Sequence, residues 1–203
     1  MKIAIFDVDG TLVNTHDGIV HTIQDVLQEF GLSYAGDYDR WIGPPVKKSF
    51  MEFCGLDENR AEEATLLYRK KYIEKYITES FLYPGMKYVL DGLNENGIRL
   101  AVATMKTGPQ VEKLFSYLGI FDYFDVIRNA REDGSLSKAQ MIADIKGSDE
   151  DYMIGDTDGD RSAAEKAGSK FIGVTYGFGY KPDREYDFLR ADKPEDILKI
   201  ICE

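Results

Sequence analysis

The stretch Ile3-Ala4-Ile5-Phe6-Asp7-Val8-Asp9-Gly10-Thr11 decides the fold of this chain. Its apolar half predicts a short buried strand over residues 2–6, so both aspartates follow the carboxyl end of that strand. Asp7 and Asp9 alternate, which in a regular strand points them to the same face, and Gly10 permits a turn that re-aims either one. The stretch therefore predicts two carboxylates around a shared pocket at the edge of a sheet.

Polar residues occupy comparable positions later in the chain. Thr104 and Asp156 each follow an apolar run, and Asp160 comes shortly after the second of these. Lys138 precedes a helical stretch. In an open parallel sheet, ligands bind beyond the carboxyl ends of the strands. We therefore expect these side chains to converge on Asp7 although they are far apart in sequence.

The outer parts of the chain alternate short strands with helices, whereas the segment 15–80 shows only helical periodicity. This alternation predicts an α/β fold with a mostly parallel sheet covered by helices on both faces. We expect a core of residues 1–14 and 81–203 with an inserted helical domain of residues 15–80. Strands are predicted at 2–6, 99–103, 126–128, 152–154 and 171–174, and helices of the insertion at about 17–30, 46–54 and 58–77.

Composition narrows the class of protein and its location. The 203 residues are 43% hydrophobic and 30% charged, as in soluble domains, and the net charge of −11 disfavours nucleic acid as a partner. Cys54 and Cys202 cannot form a disulfide framework, which fits a reducing cytoplasm. There is no signal peptide pattern and no apolar run long enough to span a bilayer. We expect a cytoplasmic monomer or weak homodimer with no membrane partner.

The predicted cluster contains the groups that phosphoryl transfer with a magnesium ion requires. Two or three carboxylates suffice for Mg²⁺, which prefers hard oxygen ligands and retains several waters. One carboxylate can attack phosphorus to form an aspartyl-phosphate, while a second acid protonates the leaving oxygen and later deprotonates water. The Thr104 hydroxyl would donate to a phosphate oxygen, and Lys138 would neutralise negative charge. Each segment alone is typical of a turn, a cap or a solvated lysine, but together they favour the functional interpretation.

Four segments carry these groups: the stretch with Asp7 and Asp9, the segment at Thr104, the segment at Lys138, and the segment with Asp156 and Asp160. In this order they resemble the signatures of the haloacid dehalogenase-like phosphohydrolases, and within them the phosphoglycolate phosphatase-like branch. The resemblance extends over essentially the whole chain and implies a Rossmann-like fold in which residues 15–80 form a helical cap. Asp9 would bind a metal ion through its backbone carbonyl, and Asp160 would do so through water. The implied roles are nucleophile for Asp7, general acid/base for Asp9, phosphate stabilisation for Thr104 and Lys138, and Mg²⁺ binding for Asp7, Asp9, Asp156 and Asp160.

The same resemblance directs attention to the cap and the second signature for substrate recognition. Ile42-Gly43-Pro44-Pro45 resembles a cap segment common in this branch, which implies a substrate contact for Lys47 nearby. Lys47 also fits a solvated helix start and Trp41 an anchor of the cap interior, and these interpretations are favoured because charged residues are mostly exposed. Lys106 is the better candidate for a substrate contact. The residues predicted to bind substrate are Thr11, Gly43, Lys47, Met105 and Lys106, with Met105 standing where relatives commonly carry Asn.

The leading hypothesis is a magnesium-dependent phosphatase that acts on a small phosphomonoester, phosphoglycolate by resemblance. Its expected ligand is a small phosphorylated metabolite. A nucleotidase, a pyrophosphatase or a phosphomutase of the same superfamily stays an alternative. A phospho-accepting signalling module also uses a strand-end aspartate with Thr and Lys, but it has an adjacent acid pair and no inserted cap. Halide-releasing relatives usually lack the second acid, so Asp9 argues against that activity.

Overall fold

The structure is a computed structural model that describes residues 2–131 and 135–203. The chain forms two compact units. The α/β unit comprises Met1–Asn14 and Phe81–Glu203, and the helical unit comprises Thr15–Ser80. No helix in the two described stretches is both long enough and apolar enough to cross a membrane.

The α/β unit is built on a parallel sheet. In the described part of the chain the strands are β1 (Ile3–Phe6), β2 (Val13–Asn14), β3 (Phe81–Leu82), β4 (Arg99–Thr107), β5 (Val126–Ala130), β6 (Tyr152–Gly155), β7 (Lys170–Val174) and β8 (Leu189–Ala191). Six of them form one sheet in the order β5-β4-β1-β6-β7-β8, and every neighbouring pair is parallel. The predicted α/β class with a mostly parallel sheet is confirmed.

Helices cover this sheet in the α/β unit and make up most of the helical unit. Over the described residues the α-helices are α1 (His16–Glu29), α2 (Val46–Cys54), α3 (Glu58–Lys71), α4 (Met86–Glu95), α5 (Gly108–Leu118), α6 (Lys138–Ile145), α7 (Asp158–Ala167) and α8 (Pro194–Cys202). Ile5 of β1 shares a buried cluster with Met141 of α6 and Ala164 of α7. Phe6 points to the opposite face and is equally buried. A strand covered on both faces is a continuous apolar run, which is why the sequence pattern reveals β1.

The carboxyl end of β4 differs from the prediction. The expected strand ended at residue 103, but β4 continues to Thr107. Its register against β5 shifts between Thr104 and Thr107. An irregularity of this kind re-aims side chains near the end of a strand. The expectation that Thr104 follows the strand was wrong, because the chain continues to pair with β5 beyond this distortion.

The helical unit contains α1, α2, α3 and an irregular segment after α3. The predicted helix over 58–77 is α-helical only to Lys71, and a wider π-type turn follows at Tyr72–Tyr76. This turn brings Lys71 and Tyr76, five residues apart, to the Asp25 carboxylate. We call the following group the Asp25 network: Asp25 with Lys71 at 2.9 Å, Lys75 at 3.0 Å and Tyr76 at 3.0 Å, and Glu29 with Lys71 at 2.7 Å.

An aromatic group fills the interior of the helical unit around Trp41. Its ring centroid lies 5.1 to 5.5 Å from those of Tyr34, Phe50 and Phe53. Only 2% of Trp41 is exposed. Trp41 therefore anchors the interior of this unit, in agreement with the favoured interpretation of the sequence.

The short strands β2 and β3 pair antiparallel where the chain leaves and re-enters the α/β unit. The paired residues are Val13 with Leu82 and Asn14 with Phe81. Sequence patterns did not predict this pair, because two residues are too few to show an alternation.

Candidate active site

Asp7 lies at the carboxyl end of the central strand. Its backbone N–H donates to the carbonyl of Ile154 in β6 at 2.9 Å, and the residue is buried. The turn that follows depends on Gly10, whose φ of 78° lies in the left-handed region. A side chain at this position would also collide with the Asp156 carboxylate. Gly10 thus lets the loop after β1 pass close to Asp156.

Asp156 and Asp160 follow β6, a neighbour of β1 in the sheet. Asp156 comes directly after the strand, and Asp160 lies in the first turn of α7. A capping box fixes Asp160, since the Thr157 N–H donates to its Oδ2 at 3.1 Å and the Asp160 N–H donates to Thr157 Oγ1 at 3.3 Å. Carboxylate oxygens of Asp7, Asp156 and Asp160 all lie within 4.8 Å of one another. These buried residues form an acidic group able to hold a metal ion.

Lys138 brings a positive charge to this acidic group from the start of α6. It is the first residue of the helix, directly after the N-cap Ser137. Its Nζ lies 2.5 Å from Asp7 Oδ1 and also contacts Asp160 Oδ1. Its side chain is only 14% exposed, so the two ion pairs are shielded from water. We call Asp7, Lys138, Asp156 and Asp160 the acidic cluster.

A second ion pair joins the loop after β1 to the end of β4. Lys106 Nζ lies 3.0 Å from Asp9 Oδ1, and Lys106 is buried. The Lys106 N–H donates to Thr104 Oγ1 at 3.2 Å, which ties the buried threonine to the same segment. The sequence predicted a substrate contact for Lys106, and that role stays a prediction beside the observed contact with Asp9.

The other residues predicted to bind substrate have different surroundings. Thr11 is fully buried, and its hydroxyl has no hydrogen-bond partner among the described residues. Met105 is partly buried against the core of the α/β unit. Lys47 belongs to the helical unit, where its Nζ lies 3.0 Å from Glu62, and Gly43 belongs to the same unit with a φ of 99°. Their roles toward a substrate stay predictions.

Burial and charge strongly perturb the ionisable groups of the acidic cluster. Burial raises the pKa of Asp7 well above its usual range; the Lys138 charge opposes this effect and the Asp160 charge adds to it. Burial and the charge of Asp160 raise the pKa of Asp156 to about 7. Burial lowers the pKa of Lys138, but the charges of Asp160 and Asp7 outweigh burial, so that its pKa is raised. Without a cation, burial and the repulsion between ionised carboxylates thus favour the protonated forms of Asp7 and Asp156.

The excess of negative charge in the site is of the size that one divalent cation neutralises. With every group ionised, the four carboxylates and two ammonium groups of the site carry a net charge of −2. The groups counted are those of Asp7, Asp9, Asp156, Asp160, Lys106 and Lys138. Hard oxygen donors suit Mg²⁺, and a bound cation lowers the pKa values of neighbouring acids. The residues present fit a divalent metal ion.

Sequence analysis missed one part of the site, the loop Thr175–Tyr180 after β7. The N–H groups of Phe178 and Gly179 donate to Asp156 Oδ2 at 2.8 and 3.3 Å. These two hydrogen bonds favour the ionised form of Asp156 and partly offset its burial. The signal that was available is Gly177-Phe178-Gly179, a glycine-rich turn shortly beyond a predicted strand end.

Known proteins resemble this chain in both sequence and fold. Residues 4–174 match the family of haloacid dehalogenase-like hydrolases. The chain is 32% identical over 198 residues to a 5'-nucleotidase of Pseudomonas aeruginosa, covering 94% of this chain and 87% of that protein. It is 29% identical over 209 residues to a phosphoglycolate phosphatase of Aquifex aeolicus, covering 99% and 97% of the two chains. A crystal structure described as a predicted phosphatase from Clostridium acetobutylicum matches with a TM-score of 0.89 at 30% identity, over 98% of this chain and 97% of that one. The chain therefore belongs to the haloacid dehalogenase-like hydrolases, as an enzyme of their phosphatase type in the phosphoglycolate phosphatase-like branch.

Proposed function

We propose that this protein is a magnesium-dependent phosphatase that hydrolyses a small phosphomonoester through an aspartyl-phosphate on Asp7. The acidic cluster carries this proposal, because the Asp7 carboxylate is buried together with two further carboxylates and the Lys138 ammonium group. A carboxylate beside a cation site is equipped to attack an anionic phosphate, since the positive charges offset the repulsion between the two.

Three side chains and one backbone group would hold the metal ion. Asp7 and Asp156 would bind it through carboxylate oxygens, Asp160 would do so through water, and Asp9 would add its backbone carbonyl. Bound Mg²⁺ would screen the negative charges of the nucleophile and the phosphate from each other. Removal of the ion with EDTA should therefore stop turnover.

The proposed reaction has two steps, and the same residues serve both. In the first, an Asp7 oxygen bonds to phosphorus, the bond to the leaving oxygen breaks, and Asp9 gives that oxygen a proton. In the second, Asp9 takes a proton from a water that attacks phosphorus, and the bond to Asp7 breaks to release inorganic phosphate. Lys138 and the Thr104 hydroxyl would stabilise the charge on the phosphoryl oxygens in both steps.

We also propose that the helical unit acts as the cap that closes over the substrate and selects its leaving group. Lys47 would bind an anionic leaving group only by giving up its 3.0 Å pair with Glu62, which weakens the case for that residue. Small esters resembling phosphoglycolate are the favoured substrates, and the likeness to a 5'-nucleotidase supports nucleoside monophosphates as a second class. A panel of natural phosphate esters, ranked by kcat/KM with Mg²⁺, distinguishes them.

Hydrolysis of an aryl phosphate tests the nucleophile directly. We expect turnover with Mg²⁺, loss of turnover in EDTA, and loss in Asp7→Asn, while Asp122→Asn on the surface keeps the wild-type rate. Hydroxylamine should intercept the phosphorylated wild type, because an acyl phosphate reacts with it. Full activity of a contamination-free Asp7→Asn preparation would refute the assignment.

The same assay separates the alternatives. Steady release of inorganic phosphate from a single substrate excludes a phosphomutase. A signalling module would become phosphorylated without sustained turnover.

The remaining proposals concern partners and assembly. We propose that the protein works in the cytoplasm as a monomer or weak homodimer on small phosphorylated metabolites. Its net charge of −11 disfavours nucleic acid and anionic membrane surfaces as partners. Analytical ultracentrifugation over a concentration series measures the assembly state, and a dominant larger oligomer would contradict this proposal.

A further inference from the structure

The loop Thr175–Tyr180, outside the four predicted segments, holds Asp156 from two sides. The N–H groups of Phe178 and Gly179 bind its side chain at Oδ2, at 2.8 and 3.3 Å. The Tyr180 N–H donates to the Asp156 backbone carbonyl at 2.9 Å. Because the N–H groups of Phe178 and Gly179 bind the same carboxylate oxygen, they fix the rotation of the Asp156 side chain as well as its position.

Two glycines allow this loop to approach so closely. A Cβ atom at Gly177 would lie 2.6 Å from Asp156 Cβ and would collide with the carbonyl oxygen of Gly10. A Cβ atom at Gly179 would collide with the Asp156 carbonyl oxygen. Neither glycine has a positive φ, so the requirement is one of space and not of backbone conformation. Any side chain here must push the loop away from Asp156.

The same loop is also attached to the loop after β1. The Tyr176 hydroxyl donates to the backbone carbonyl of Thr11 at 3.0 Å, and its ring lies 4.7 Å from that of Tyr83. At the other side, Thr175 Oγ1 donates to Asp192 Oδ1 at 2.6 Å. Thr175–Tyr180 therefore bridges the segment that carries the nucleophile and the segment that carries Asp156.

We propose that Thr175–Tyr180 is a positioning element for the metal site, which sets the orientation of Asp156 relative to Asp7 so that both meet one ion. This inference rests on the proposed function for the identity of the ion. Outer partners of metal ligands change metal affinity by about 10- to 100-fold when they are removed. The loop makes no contact with the metal in this scheme, so its effect is on binding of the ion before any chemistry.

Calorimetric titration of the metal-free protein with MgCl₂, in the absence of substrate, tests the proposal. We expect Gly177→Ala and Gly179→Ala to bind Mg²⁺ at least about 10-fold more weakly than wild type. Tyr176→Phe loses one hydrogen bond between the loops and should bind about 3-fold more weakly. Circular dichroism and thermal unfolding in EDTA verify that each variant is folded.

Matched substitutions elsewhere in the α/β unit serve as controls. Gly147→Ala adds the same methyl group where the nearest atoms lie 3.8 Å away, and Tyr117→Phe removes a hydroxyl from a residue that is 51% exposed. Both should bind Mg²⁺ as the wild type does.

The possible outcomes separate this inference from the proposed function. Wild-type Mg²⁺ affinity in Gly177→Ala and Tyr176→Phe would overturn the role of the loop and leave the phosphatase proposal intact. A wild type that binds no Mg²⁺ would instead overturn the metal assignment, and the role of the loop with it. Should Gly177→Ala fail to fold, the affinity of Tyr176→Phe relative to Tyr117→Phe decides.

Discussion

The acidic cluster and the Asp25 network both combine aspartates with lysines, but the pKa values of their aspartates shift in opposite directions. In the Asp25 network two carboxylates that are at least partly exposed, Asp25 and Glu29, meet two lysines and a tyrosine, and hydrogen bonds led by that from Lys71 lower the pKa of Asp25 to about 2. In the acidic cluster three buried carboxylates share Lys138, and burial raises the pKa of Asp7 and brings that of Asp156 to about 7. The ratio of acids to bases, together with burial, thus distinguishes a structural ion network from the cluster that we propose binds a cation.

Lys138→Met would remove the single ammonium group that the acidic cluster contains. Charge developing on the phosphoryl group would then lose a stabilising partner next to Asp7. We expect kcat with an aryl phosphate to fall about 1,000-fold at saturating Mg²⁺, equivalent to about 4 kcal/mol. Lys146→Met breaks an ion pair with the exposed Asp149 and should change the rate less than about 2-fold. Equal losses of kcat in Lys138→Met and Lys146→Met would contradict a special role for the lysine of the acidic cluster.

The pH dependence of folding tests whether the acidic cluster destabilises the metal-free protein. The pKa of Asp156 is raised from 3.8 to about 7, so between these values the folded state keeps a proton that the unfolded state has released. Stability therefore falls as pH rises from about 4 to about 7. In EDTA at pH 8 we expect Asp156→Asn to be more stable than wild type by about 2 to 4 kcal/mol, measured by urea unfolding.

Added Mg²⁺ should reverse that order, because it stabilises a folded state with an intact site more than one lacking a ligand. The difference between wild type and Asp156→Asn should also shrink at pH 5, where both carry a neutral group at this position. A difference that is the same at pH 5 and pH 8 would contradict the raised pKa.

Lys106→Met tests whether the ion pair between Lys106 and Asp9 contributes to catalysis, as we propose for the acidic cluster, or only to stability, as in the Asp25 network. Loss of the 3.0 Å contact leaves the Asp9 carboxylate without its ammonium partner and less well oriented to transfer a proton. We expect kcat to fall about 30-fold, or about 2 kcal/mol, with little change in KM and partial recovery in Lys106→Arg. A rise in KM with unchanged kcat would support the predicted substrate contact instead.

Asp25→Asn should have the smallest effect. Because the pKa of Asp25 is lowered from 3.8 to about 2, its stabilising contribution is complete above pH 4 and disappears as pH falls from about 4 to about 2. Solvent screening limits the loss at pH 7 to about 1 kcal/mol, measured by urea unfolding. The exposed Glu74→Gln serves as the control in the same unit. A loss that stays constant down to pH 3 would mean that Asp25 acts through packing and not through its charge.

Much of the α/β unit was predictable because its central strands are buried on both faces. β1 and β6 are short uninterrupted apolar runs with every residue buried, and their carboxyl ends are neighbours in the sheet. The observed proximity of Asp7 and Asp156 agrees with what that topology implies, whereas their chemical roles stay predictions. The apolar runs, together with the rule that ligands bind beyond the carboxyl ends of parallel strands, were enough to predict this part of the fold.

The remainder depends on contacts between residues that are distant in sequence. The N–H groups of Phe178 and Gly179, in the loop after β7, bind Asp156, which follows β6. Any residue type has a backbone N–H group, so only the nearby glycines could indicate this contact in the sequence. The pairing of Lys106 with Asp9 likewise needs β4 to lie beside β1. The turn at Tyr72–Tyr76 departs from an α-helix to reach a carboxylate in α1, which helical periodicity alone does not reveal.

The antiparallel pair of β2 and β3 places the two chain connections of the helical unit side by side. Asn14 is paired directly with Phe81, so the polypeptide departs and returns at adjacent points. A two-residue turn of the Asn-Gly kind closes a gap of that width between antiparallel strands. Joining residue 14 to residue 81 in this way would leave every strand of the six-stranded sheet in register. By the same geometry, another domain whose two ends lie close together could be inserted between residues 14 and 81.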